Sequence, residues 1–180
     1  MDEIKDIIVK TIITGVPYMD YMYRVCQPDC IDNAMSFQIL GFDIMIDKNF
    51  RPWLIEVNQA PSFQTDSPLD YEVKKCVCKD TINMLNVNQD RRDEYIKKKT
   101  QEDEQRMMTG KTVKLNPIER SKMKEERIQE RIDYERMQLQ MNGYEVLYPQ
   151  IYEDKQEEYD KLLKKAYDIW DDFTTGKNKK

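Results

Sequence analysis

A two-residue period runs through residues 42–58, in two runs joined by the segment 47–51. The first run sets Phe42, Ile44 and Ile46 against Asp43, Met45 and Asp47. The second sets Trp53, Ile55 and Val57 against Leu54, Glu56 and Asn58. A period of two is the repeat of a β-strand, and the segment between the runs has turn composition. The sequence therefore predicts an antiparallel β-hairpin, which constrains the fold more than any other feature.

The register of this hairpin follows from the turn. If Asp47 pairs with Pro52, then Met45 faces Leu54. The same register brings Asp43 opposite Glu56, with Asn58 one step further along the same face. Two like charges placed this way destabilise a sheet unless a cation lies between them.

Oxygen ligands on two rigid strands suit Mg²⁺, which takes one or two carboxylates together with phosphate oxygens. Asp43, Glu56 and Asn58 are therefore candidate metal ligands. The alternative is a solvated polar face on which both acids are simply exposed. Spacing alone leaves both interpretations open.

Helices are predicted on both sides of the hairpin. Residues 3–14 have helical apolar spacing, and Gly15-Val16-Pro17 is expected to end that helix. Ser67 is a predicted N-cap, followed by Pro68 and by Asp70 three residues on. The helix that Ser67 starts is expected to bury Leu69, Val73, Cys76, Val77 and Leu85.

From about residue 89 the apolar stripe thins and charge dominates. Asn116-Pro117 with Glu119 predicts the start of a long charged helix that ends at Asn142-Gly143. A last helix is predicted over residues 152–174. Its apolar face comprises Tyr159, Leu163, Ala166, Tyr167, Trp170 and Phe173.

Composition narrows the functional class. Charged residues make up 35% of the 180 residues and hydrophobic residues 39%, so the core is expected to be small. No apolar run is long enough to span a bilayer, and no signal peptide is recognised, so we expect a cytoplasmic protein without a membrane partner.

The chain has no histidine, which excludes catalysis by Ser-His-Asp or Cys-His groups. Cys26 and Cys30 could share a zinc ion, although buried or surface thiols are the favoured interpretation.

Three segments closely resemble the tubulin–tyrosine ligase-like family, and within it the tubulin polyglutamylases. They are residues 37–47 (FQILGFDIMID), 51–58 (RPWLIEVN) and 61–70 (PSFQTDSPLD). The resemblance runs from Ile8 to about Leu85, and a weaker likeness continues to the end.

The resemblance implies an ATP-grasp fold in which Asp43, Glu56 and Asn58 coordinate magnesium on ATP. The implied reaction activates a carboxylate of tubulin as an acyl phosphate, which the amine of free glutamate then converts to an amide. The implied fold class is α+β: a C-terminal part of an ATP-grasp domain over residues 1–88, then a charged helical extension over 89–180. The implied location is the cytoskeleton, including cilium, axoneme or basal body.

Two departures from the family are expected to matter. Gln59 stands where many polyglutamylases have a histidine, and an amide cannot exchange a proton as imidazole does. The family's nucleotide-binding lobe precedes the matched region, so we expect a lone chain of 180 residues to be an incomplete enzyme. The alternative is a catalytically inactive remnant that binds microtubules.

Two further sets of residues are candidates. The loop and helix after the hairpin border the amino-acid pocket in the family, so Ser62 and Lys74 are candidate substrate contacts, although an ordinary exposed lysine and a loop serine are the favoured interpretation. Four basic side chains recur on one predicted helix face: Arg120, Lys124, Arg127 and Arg131. This basic stripe is a candidate docking surface for the acidic microtubule, the alternative being a solvated helix face. No nucleic-acid-binding motif accompanies it.

Overall fold

The structure is a computed structural model that describes residues 1–28, 30, 36–85, 89–110, 116–149 and 153–176. Within these residues a helix and a hairpin precede four further helices. The elements are α1 (Asp2–Cys26), β1 (Gly41–Ile46), β2 (Pro52–Asn58), α2 (Pro68–Met84), α3 (Gln89–Thr109), α4 (Pro117–Leu139) and α5 (Glu153–Thr175). The strands form a two-stranded antiparallel sheet. The fold is therefore α+β and mostly helical.

The chain divides into two compact units. One comprises Met1–Ser62 with Glu145–Lys180, and the other comprises Phe63–Tyr144. The domain boundary predicted between residues 88 and 89 borders residues 86–88, which lie outside the described residues, so it stays a prediction.

The core of the first unit lies between α1 and α5. Val9 and Ile13, one helical turn apart, are buried together with Tyr159. Partly buried side chains surround this centre: Leu147, Leu162, Leu163 and Ala166. The small size of the core agrees with the high proportion of charged residues.

The predicted end of the first helix was wrong, because α1 continues through Pro17 to Cys26. A proline inside a helix costs roughly 3 kcal/mol, since it removes a hydrogen bond and crowds the preceding turn. Packing on α5 offsets that cost. Pro17 is buried, and the rings of Tyr18 and Tyr21 lie 5.7 and 6.0 Å from the ring of Trp170.

The second unit begins as predicted but packs differently. The Oγ of Ser67 accepts a hydrogen bond from the backbone N–H of Asp70, which confirms the N-cap of α2. The predicted burial of Leu69, Val73 and Cys76 was wrong, since all three are exposed. Among the described residues α2 packs through its C-terminal half, and its predicted apolar stripe lies largely uncovered.

Helix α4 starts at its predicted capping signal. Asn116 forms a full capping box with Glu119 and confirms the start of α4. The helix ends at Leu139, three residues before the predicted Asn142, and the side chain of Asn142 accepts a hydrogen bond from the backbone N–H of Tyr144 beyond that end. Within the described ranges, none of the helices is both long and apolar enough to cross a membrane.

Candidate metal-binding site

Asp47 organises the turn of the hairpin. Its Oδ1 accepts hydrogen bonds from the backbone N–H groups of Asn49 and Arg51, at 2.7 and 2.9 Å, and its Oδ2 accepts one from the indole N–H of Trp53 at 3.2 Å. The Arg51 and Trp53 bonds favour the charged form and lower the pKa of Asp47 below its ordinary value. Phe50 adopts a positive φ of 61°, which closes the turn. The Asp47 carboxylate therefore adds three hydrogen bonds to the backbone hydrogen bonds that close the turn.

Strand pairing near the turn differs from the prediction. Ile46 pairs with Pro52, and Met45 pairs with Trp53. The predicted pairs Asp47–Pro52 and Met45–Leu54 were wrong. Asp47 occupies the turn instead of the ladder, because its side chain and backbone bond within the connection.

A register shift between Asp43 and Ile44 restores the predicted pairing further from the turn. Ile44 pairs with Leu54, yet Asp43 pairs with Glu56, so Ile55 is an extra residue in β2. Such a β-bulge changes which side chains face each other. Without it, Asp43 would stand opposite Ile55 and Glu56 would point to the other face. The predicted pairing of Asp43 with Glu56 is confirmed.

The three predicted metal ligands come together. The Nδ2 of Asn58 donates hydrogen bonds to Oδ2 of Asp43 and to Oε1 of Glu56, each at 3.2 Å. Asp43 and Glu56 are exposed and Asn58 is half-buried. The amide N–H₂ group therefore lies between two carboxylates that would otherwise repel each other.

This donor set fits a hard divalent cation. Two carboxylates can hold Mg²⁺ while phosphate oxygens complete its coordination, and the Oδ1 of Asn58 is a further oxygen ligand. Within the described ranges no three His, Cys, Asp or Glu side chains lie close enough to hold a metal together. The alternative zinc ligand Cys30 lies with its Sγ 3.1 Å from the hydroxyl of Tyr23.

Gly41 is a site residue that the sequence analysis missed. It pairs with Asn58, and a Cβ at this position would lie 3.1 Å from the Cβ of Pro61 and 3.6 Å from that of Asn58. Glycine thus allows residue 61 to approach the ligand end of the hairpin closely. The available signal was a glycine at the start of a predicted strand.

Gln59 and Ser62 follow the ligands in the chain. The backbone carbonyl of Gln59 accepts a hydrogen bond from the side chain of Gln38 at 3.1 Å, and the side chain of Ser62 is exposed. Lys74 belongs to the other compact unit. Its ammonium group donates to the backbone carbonyl of Gln64 and lies 3.8 Å from Asp70. Lys74 is thus held against the loop before α2.

The members of the basic stripe differ in exposure. Lys124 is exposed, whereas Arg127 and Arg131 are half-buried. The Nε of Arg131 lies 3.5 Å from Oε1 of Glu135. The side chain of Arg120 lies outside the described residues. The stripe therefore combines an exposed lysine with arginines that also take part in packing.

Comparison with known proteins identifies the class. Residues 1–95 match the tubulin-tyrosine ligase family, and the hairpin lies inside this match. The chain belongs to that family, as its residues predicted.

Three relatives cover nearly the whole chain. The "probable beta-tubulin polyglutamylase" of Tetrahymena thermophila is 35% identical over 172 residues, 96% of this chain and 14% of the relative. Tubulin polyglutamylase TTLL7 of Xenopus tropicalis is 32% identical over 181 residues, which are 93% of this chain and 20% of the relative. Tubulin polyglutamylase ttll6 of Danio rerio is 32% identical over 180 residues, which are 97% of this chain and 22% of the relative. This chain therefore spans between 14% and 22% of the length of these relatives.

Proposed function

We propose that this chain is the magnesium-binding part of an ATP-dependent ligase that adds glutamate to tubulin side chains. The observation that carries the proposal is the convergence of Asp43, Glu56 and Asn58 at one end of the hairpin. Membership of the tubulin-tyrosine ligase family and the names of the relatives support it. The hairpin and the helices around it would form the C-terminal part of an ATP-grasp domain.

The chemistry assigns simple roles to these side chains. Asp43, Glu56 and Asn58 would hold Mg²⁺, which would neutralise phosphate charge on ATP. A carboxylate of tubulin would take the γ-phosphoryl group, with ADP as the leaving group. Asp43 and Glu56 supply two negative charges on one face, and the bulge at Ile55 keeps them opposed. The resulting acyl phosphate would release phosphate when the amine of glutamate attacks its carbonyl carbon, and loss of a proton from that amine would leave the amide.

The other candidate residues have proposed roles in substrate binding. Ser62 and Lys74 are proposed contacts of the amino-acid substrate. The basic stripe, with Lys124 as its exposed described member, is proposed to contact the acidic surface of microtubules by charge complementarity. The corresponding location is the cytoskeleton in the cytoplasm, including the cilium, axoneme or basal body.

A second candidate function is supported by Gln59. If the histidine found there in many polyglutamylases transfers a proton, an amide cannot replace it. The protein would then bind microtubules without ligating glutamate. The two functions differ in one observable product, a glutamylated tubulin tail.

Glutamate incorporation into tubulin, measured by mass spectrometry on the protein purified from its natural source, tests the proposal. Glu56→Gln keeps the shape of the side chain but removes a charge from the site. We expect it to reduce the rate by about a hundredfold or more, the scale of losing an electrostatic contact in a transition state. Glu72→Gln, an exposed acid on α2, is the matched control and should retain full activity.

The outcomes separate the two functions. Activity in the wild type and in Glu72→Gln, but not in Glu56→Gln, supports the ligase. Microtubule binding without any glutamate incorporation supports the inactive relative. Equal activity of all three proteins overturns the role of Glu56.

A further inference from the structure

The side-chain amide of Asn58 lies beside both candidate carboxylate ligands, Asp43 and Glu56. Its nitrogen lies 3.2 Å from Oδ2 of Asp43 and 3.2 Å from Oε1 of Glu56, within hydrogen-bond distance of both carboxylates. In the absence of a cation this group is the donor that offsets the repulsion between the two acids.

Electrostatics fixes the orientation of this amide. With its oxygen turned inward, a partial negative charge would face two carboxylates. A divalent cation between the acids reverses the preference, since it repels the N–H₂ group and attracts the oxygen. The two states of the site therefore require opposite orientations of one side chain.

We propose that Asn58 is a cation-responsive switch, whose amide turns by half a rotation about its Cβ–Cγ bond when a divalent cation binds between Asp43 and Glu56. This inference rests on the proposed function, which places the cation there. The rotation is inexpensive, because the terminal torsion of asparagine is broad and roughly two-fold. Gly41, the cross-strand partner of Asn58, has no side chain to obstruct it.

The switch gives the site two properties. The carboxylates stay converged while no cation is bound, so the site needs little reorganisation when one arrives. The amide also competes with the cation for the same oxygens, which weakens binding relative to a site with three carboxylates. A cation that enters and leaves with a nucleotide in each cycle requires such reversible binding.

Titration of the isotope-labelled 180-residue chain with MgCl₂ tests the switch directly. The side-chain N–H₂ resonances of Asn58 should move from hydrogen-bonded to solvent-exposed positions in step with the shifts of the Asp43 and Glu56 carboxyl carbons. If the carboxyl carbons shift while the amide protons stay hydrogen-bonded, the switch is wrong and the metal site stands. If neither responds at millimolar MgCl₂, the proposed metal site itself is overturned.

A charge substitution provides a second, independent test. Asn58→Asp removes the competing donor and adds a third carboxylate, and it should bind Mn²⁺ at least about tenfold more tightly in calorimetry. Asn49→Asp makes the same change in the turn of the same hairpin and should leave the affinity within about twofold, since exposed charges are screened. Equal affinities of Asn58→Asp and the wild type would contradict the switch.

Discussion

Tyr159 donates a hydrogen bond to Asp6 over 2.9 Å, across 153 positions of the chain. The ring of Tyr159 is fully buried against α1. The family match ends at residue 95, so a helix outside that match completes the core of the unit that carries the hairpin. This relationship predicts that the C-terminal helix is needed for the stability of the candidate site.

Substitution of Tyr159 should separate the hydrogen bond from the packing. Tyr159→Phe removes the hydroxyl and should lower the free energy of unfolding by about 1–2 kcal/mol. Tyr159→Ala also leaves a cavity and should cost about 3–5 kcal/mol. Urea unfolding measures both, and Tyr95→Phe on exposed α3 should change stability by less than about 0.5 kcal/mol. A small effect of Tyr159→Ala would contradict the assignment of the core.

The same contact predicts a loss of stability at high pH. Burial, together with the hydrogen bond to Asp6, raises the pKa of Tyr159 to about 12 from an ordinary value near 10. The unfolded chain therefore loses this proton first, and stability should fall as the pH rises from 10 to 12. The pKa of Lys10 is raised by its hydrogen bonds to Asp6 and Glu158, so its contribution to stability is also lost as the pH rises.

Thermal unfolding of the wild type and of Tyr159→Phe between pH 9 and 12 measures this dependence. The variant should lose less stability over the range, because it lacks one titrating group. Parallel alkaline curves for the two proteins would argue against the raised pKa of Tyr159.

On the acid side, burial alone would raise the pKa of Asp6, but hydrogen bonds from Lys10 and Tyr159 hold that pKa below its ordinary value of 3.8. The stabilisation from Asp6 is therefore lost as the pH falls below that value.

Local signals in the sequence were sufficient where a few neighbouring residues decide the structure. Ser67 and Asn116 cap their helices as predicted, because a cap depends on three or four consecutive residues. The pairing of Asp43 with Glu56 was predicted from an Asp47–Pro52 register that is itself wrong, and the bulge at Ile55 restores the predicted pair. Those two residues also carried the family resemblance.

Features that depend on distant packing were not predictable. Pro17 was expected to end a helix, but the packing of α1 on α5, more than a hundred residues away, outweighs the local cost. The periodicity of β2 likewise gave no sign of the bulge at Ile55. The exposure of Leu69 likewise could not be read from an amphipathic pattern.

Asp47 should be required for the order of the turn. Asp47→Ala removes the acceptor for the Arg51 amide and the Trp53 indole, so hydrogen exchange at both groups should accelerate by about tenfold. Asp66→Ala, an exposed aspartate after the hairpin, is the control and should leave both rates unchanged. Unchanged exchange in Asp47→Ala would mean that the carboxylate does not hold the turn.

The basic stripe should be tested through its exposed lysine, because reversal of the half-buried arginines would disturb packing. Lys124→Glu should weaken co-sedimentation with microtubules by up to roughly 5-fold at low salt, and less at high salt. Lys164→Glu makes the same charge change on α5 and is the control. Equal weakening by both variants would show that net charge, and not the stripe, controls binding.

The most direct test of the central claim is calorimetric titration of the chain with MnCl₂, a probe for the magnesium site. We predict roughly one site per chain, with an affinity reduced at least about tenfold in the double variant Asp43→Asn with Glu56→Gln. The control Asp66→Asn with Glu72→Gln removes the same charge from exposed positions and should bind as the wild type does. Wild-type affinity in the Asp43 and Glu56 double variant would contradict a metal site on this hairpin.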